Sequence, residues 1–88
     1  MEYIKLNPNY TKYGHRHGFK FDPYIYGSEG KARAKARAVE EFLRSKYGSD
    51  SDRYCSAFFG GKPNESNQYW ITFKGKDSLV SYIMLKVL

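Results

Sequence analysis

At 88 residues and 10.3 kDa the chain holds one domain's worth of sequence, and 41% hydrophobic with 18% aromatic residues places it outside the disordered class. Fifteen Lys and Arg against nine Asp and Glu leave a net charge of +6 and a pI near 9.5, a balance that favours polyanionic partners. The single cysteine, Cys55, excludes an internal disulfide and suits a reducing compartment; with no long apolar run and no secretory h-region, the expected location is the cytoplasm, away from membranes.

In chain order, Glu2 to Leu6 alternates as a short strand that Asn7-Pro8-Asn9 ends. A loop of rings and cations follows, from Tyr10 to Gly18, and then Phe19 to Tyr26 reads as strand-like with Asp22-Pro23 as a kink. Ser28 is the expected N-cap of a helix from Glu29 to Tyr47, stopped by Gly48. At 100° per residue Ala32, Ala36, Val39, Leu43 and Tyr47 fall on one face, flanked by Phe42, and that face is core. On the other side Glu40 is placed to pair with Arg44 and Glu41 with Arg37, whereas Lys31, Arg33 and Lys35 are read as lacking a local acid.

The remainder predicts a hairpin, Arg53 to Phe59 and Gln68 to Lys74, joined by a floppy tip over 60–67. Asp77 is the expected N-cap of a helix from Ser78. The tail fits two patterns: a helix to Ile83 with a closing strand to Leu88, which gives the ferredoxin-like order βαββαβ after the first strand, or a helix throughout, which gives ββαββα. Either way the expectation is one small α+β domain over residues 1–88, an antiparallel sheet with two helices. Tyr69, Ile71 and Phe73 share one strand face and are expected in the core, as is Cys55.

The charge is unevenly spread. Residues 1–37 carry eight Lys/Arg against three Asp/Glu, and residues 38–88 carry seven against six. The excess ends in Lys31, Arg33, Lys35 and Arg37, at the helix end that the macrodipole already makes positive, so an external anion is the simplest thing to favour them. With Lys12, Arg16 and Lys20 extending the surface, these cations are the expected phosphate contacts; Tyr10, Tyr13 and Phe19 are the expected platforms on which bases stack. An RNA-recognition-motif reading fails, because Asn67 to Phe73 lacks the basic residue and glycine that open that motif's octamer.

Catalytic and metal readings have little support. His15 and His17 lie at i,i+2 between glycines with no further ligand spacing, and Gly27-Ser28-Glu29-Gly30-Lys31 is too short for a phosphate loop, with Ala32 where Ser or Thr would bind magnesium. The expectation is therefore a non-enzyme without cofactor or metal. In length, charge and Tyr/Lys-rich globular character, over the whole chain, the sequence resembles the small basic early proteins of T-even-like bacteriophages, and among them the TifA-type inhibitors of a toxin–antitoxin ribonuclease. The resemblance implies an RNA-binding protein that reaches a ribonuclease toxin together with RNA, in the cytoplasm of an infected bacterium. No site residue carries over from the family. The other reading is a protein-only inhibitor or adaptor on an acidic partner, and a homodimer is compatible with both.

Overall fold

A computed structural model describes residues 1–49, 51–59 and 68–88, without the side chains of residues 12, 58 and 59. Glu2–Lys5 forms β1, and a 3-10 turn at Lys12–Gly14 leads into β2, His17–Phe21. The stretch expected to continue that strand is instead a short helix, α1, at Pro23–Tyr26. The cause is local: Pro23 takes the first helical position, where an N–H would have no partner, and the Asp22 carboxylate accepts from the Tyr24 N–H at 2.9 Å as the N-cap.

The long helix, α2, spans Glu29–Tyr47 as expected, with the Ser28 hydroxyl accepting from the Lys31 N–H at 3.2 Å and Gly48, at φ +92°, donating to the Arg44 carbonyl at 2.8 Å. Ala32, Ala36, Val39 and Leu43 are buried, and Phe42 and Tyr47 pack at the margin. The hairpin is β3, Tyr54–Phe59, and β4, Gln68–Phe73, paired antiparallel with Ser56 opposite Ile71. The expected floppy tip lies outside the described residues. The next helix, α3, is Asp77–Tyr82, with Lys76 rather than Asp77 as N-cap; Asp77 sits in the first turn, where its charge suits the dipole.

The tail carries no closing strand. Ile83–Val87 continues α3 as a π-helical turn, closed by Leu88 N–H to the Ile83 carbonyl at 3.0 Å. Its element order is therefore the ββαββα alternative, with α1 added. The sheet order is β1-β2-β4-β3, every neighbouring pair antiparallel. That order is compatible with the ferredoxin-like arrangement, with one substitution: the edge beside β2 is taken by the amino-terminal strand. A carboxyl-terminal strand would find its place filled, and Ile83, fully buried, packs into the core from a helix instead.

Register puts Tyr3, His17, Phe19, Phe21, Ile71 and Phe73 on the face beneath α2, and Ile4, Lys20, Trp70, Thr72, Cys55 and Ala57 on the opposite face. Phe19, Phe21 and Phe73 are 0% exposed, and the Phe19 ring lies 5.3 Å from Phe73 and 5.9 Å from Tyr3. Cys55 is exposed, against expectation, because its register points it away from the helix layer on an edge strand. Tyr69 is half-buried at the core margin.

Both histidines are buried, at 2% exposure, and both rings are fully engaged. His15 Nε2 donates to the Asp52 carbonyl at 2.7 Å, and its Nδ1 lies 2.8 Å from the Thr72 hydroxyl. His17 Nε2 donates to the Gly75 carbonyl at 2.8 Å, and its Nδ1 lies 2.8 Å from the Tyr3 hydroxyl. Since a carbonyl can only accept, each Nε2 carries a proton, and each Nδ1 completes its ring's hydrogen bonding with a hydroxyl. Burial first, and the Asp77 charge second, raise the Tyr3 phenol above its ordinary pKa. These imidazoles pin two loops: His15 holds 51–53 and His17 holds the β4–α3 turn.

That turn depends on Gly75. Its φ is +144°, and a Cβ there would lie 2.6 Å from the Leu79 Cδ2. Gly75→Ala is expected to lower stability by about 1–3 kcal/mol through backbone strain, read from the denaturation midpoint; an unchanged midpoint would mean that the turn relaxes freely.

Candidate nucleic-acid interface

The cations of α2 and the amino-terminal loop form two groups at opposite ends of β4, while Lys20 lies on the open sheet face and Phe19 in the core. Arg33, near the start of α2, reaches Tyr69, the second residue of β4, whereas the amino-terminal loop attaches at the other end through Arg16 N–H to the Phe73 carbonyl at 3.2 Å. Four residues of strand separate these anchors, about 13 Å. The surface read as continuous is thus two surfaces.

Within the first group the helix itself divides the cations. Arg33 and Arg37, at i,i+4, lie along one flank; Lys31 and Lys35 lie along the other, since two residues of helix turn a side chain through about 200°. Lys31 and Arg37 are exposed, and no ion pair engages either among the described residues. The expected Arg37–Glu41 pair is absent, while Arg44–Glu40 forms at 2.6 Å. Lys35 is half-buried, with Nζ 3.4 Å from the main-chain oxygen of Leu88.

Arg33 corrects the sequence reading, which assigned it no local acid. Its Nη2 pairs with Glu29 at 3.1 Å, one helical turn earlier, and its Nε donates to the Tyr69 hydroxyl at 3.1 Å, which donates in turn to Glu29 at 3.0 Å. The hydrogen bond to Tyr69 first, and then the Glu29 carboxylate, raise the guanidinium above its usual pKa. Because α2 lies over β2 and β4 and leaves the β3 edge free, a groove of about 360 Å³ opens beside it, where Arg33 and Arg37 stand with Glu40, Ser56, Tyr69 and Trp70.

In the second group, Tyr10 is 88% exposed and Tyr13 48%, and Arg16 is exposed. Tyr13 holds φ at +66°, a rare conformation for a bulky residue, with its ring 6.0 Å from His15. Lys20 lies apart on the open sheet face, 3.8 Å from Glu2 and in register with Trp70. The Lys12 side chain lies outside the described residues. Phe19 cannot stack on a base: it is fully buried, because the alternation of β2 turns it inward between Gly18 and Lys20. Trp70, half-buried on the open face, is a ring that the sequence reading did not single out.

A larger concavity also went unread. Its volume is about 660 Å³, and it lies between the carboxyl-terminal end of α2, Arg53 and the β4–α3 turn. Lys46, Arg53 and Lys76 line it together with Phe42, Tyr47 and Tyr82. Phe42 and Tyr82 stack at 5.4 Å and 27°, and the Arg53 guanidinium lies 4.8 Å over the Tyr47 ring. The three cations are separated by 7 and 23 positions in the chain, so no local pattern joins them.

Among the described residues, no three His, Cys, Asp or Glu side chains converge on a metal site, and no helix is long and apolar enough to cross a membrane. Compared with known proteins, the chain matches no family model, no curated protein and no solved structure.

Proposed function

We propose that this protein binds RNA or single-stranded nucleic acid through its phosphate backbone, without catalysis and with little sequence preference. Following the resemblance, it is a phage-encoded inhibitor that engages a host defence ribonuclease toxin together with that RNA. The observation that carries the binding reading is the groove beside α2, where Arg33 and Arg37 stand exposed at one-turn spacing next to the ring of Tyr69. Phosphates would meet the guanidiniums, and a base would meet a ring. The Arg33–Glu29 pair does not oppose this, since exposed pairs are weak and a phosphate competes for the same donor.

The test is the salt dependence of binding to single-stranded RNA. The logarithm of the affinity should fall linearly with the logarithm of salt, by about 0.7 per phosphate neutralised. A flat dependence, or no binding at about 50 mM salt, refutes the reading. Capture of a ribonuclease from nuclease-treated extract, with no RNA binding, would replace it with the protein-only one.

A further inference from the structure

We infer that the cleft at the carboxyl-terminal end of α2 is a binding site for a phosphorylated nucleotide, separate from the groove and independent of the reading given to it. Its volume of about 660 Å³ falls in the range of small-molecule sites. Its lining divides into the two halves that such a ligand needs. Lys46, Arg53 and Lys76 supply three positive charges, no carboxylate stands among the described lining residues, and none of the three cations is ion-paired among the described residues. The helix dipole accounts for Lys46, in the last turn of α2, but not for Arg53 or Lys76, which come from separate loops. Like charges gathered at one concavity repel, and an anion bound between them removes that repulsion.

The other half is aromatic. Phe42 and Tyr82 already stack, and Tyr82 is 50% exposed, so a base added to its outer face would extend the column by one ring. The Arg53 guanidinium carbon lies 4.8 Å from the Tyr47 ring centroid, so the ring holds this cation at the cleft by a cation–π contact.

The cleft is also preorganised, and this is the use to which the buried histidines are put. His15 fixes the Asp52 carbonyl beside Arg53, His17 fixes the Gly75 carbonyl beside Lys76, and the Lys74 N–H joins the two loops by donating to the Arg53 carbonyl at 2.8 Å. Two buried imidazoles thus hold the loops that bring distant cations together. Loops fixed in this way lose little freedom when a ligand arrives.

The experiment is a titration of the isotope-labelled full chain at low salt with AMP, ADP, adenosine and inorganic phosphate, followed by amide shifts. AMP or ADP should shift the amides of Arg53, Gly75 and Lys76, and should bind at least about tenfold more tightly than adenosine or phosphate alone. Lys76→Glu and Arg53→Gln should each weaken AMP by about tenfold with the melting temperature kept, and Tyr82→Ala should bring AMP down to the affinity of phosphate. The pair Arg33→Glu/Arg37→Glu should leave AMP binding unchanged, which separates failure of this site from failure of the groove. A 5′-phosphorylated trinucleotide distinguishes the ligand's source: tighter binding than AMP assigns the cleft to the end of a strand, and weaker binding assigns it to a free nucleotide. Equal binding of phosphate and AMP, shifts confined to residues outside the cleft, or no binding at millimolar AMP would each overturn the proposal.

Discussion

Leu43→Ala is expected to cost about 2–5 kcal/mol, against a total stability of roughly 5–10 kcal/mol for a domain of this size. Leu43 is 0% exposed on the buried α2 face, three turns beyond Ala32, in a core it shares with Phe19, Ile71, Phe73 and Ile83. Truncation removes its transfer free energy and leaves a cavity, because β2 and β4 hold the floor beneath the helix and α3 holds the side. The melting temperature should fall by roughly 10–30 °C, and part of the population should be unfolded at 37 °C. Thermal unfolding followed by circular dichroism reads this directly. A fall of only a few degrees would mean that the helix repacks over the gap and that its seat on the sheet is looser than the burial of Leu43 implies.

What could be read in advance divides by the range of the forces involved. The span of α2 was legible because everything that sets it is local: Ser28 at one end, Gly48 at the other, and a 3.6-residue apolar period between. Helix α1 was missed although its signals are also local, because Asp22-Pro23 serves equally as a kink in an edge strand and as a cap with proline at the first helical position. Ile83, Leu85 and Val87 fit either periodicity, and the decision came from far away in sequence, where β1 occupies the edge that a last strand would need. For the site, Gly18-Phe19-Lys20 looks the same whether Phe19 faces solvent or core; only pairing with β4, which sets Phe19 opposite Ile71, turns it inward. The Arg33–Glu29 pair lay at i,i+4 spacing and was visible in principle. Lys46, Arg53 and Lys76 were not, since they meet only after the hairpin and α3 are in place.

The charge reversal Arg33→Glu/Arg37→Glu is the strongest test of the groove, because its effects on folding and on binding should diverge. Both side chains are exposed, and neither reaches the core. At Arg33 the substitution breaks the pair with Glu29 and the bond to Tyr69, yet it places a negative charge nearer the positive end of the helix dipole. At Arg37 no ion pair is lost, although Glu41 stands one turn away as a like charge. These exposed terms are small and partly opposed, so the melting temperature should move by no more than about 5 °C. Binding has no such compensation. Two phosphate contacts disappear, which lowers the salt slope for single-stranded RNA by about 1.4, and the new carboxylates repel the backbone, so affinity at low salt should drop by about tenfold or more. Because an acidic protein partner would also be repelled, ribonuclease capture is compared with and without nuclease treatment. If the wild type loses capture on nuclease treatment and the double variant fails to bind both RNA and toxin, the RNA-linked mechanism holds. If the variant binds RNA like wild type, the groove is not the phosphate site; and if its melting temperature instead falls by ten degrees or so, the network of Arg33, Tyr69 and Glu29 is a brace between α2 and β4 and the cations serve the fold.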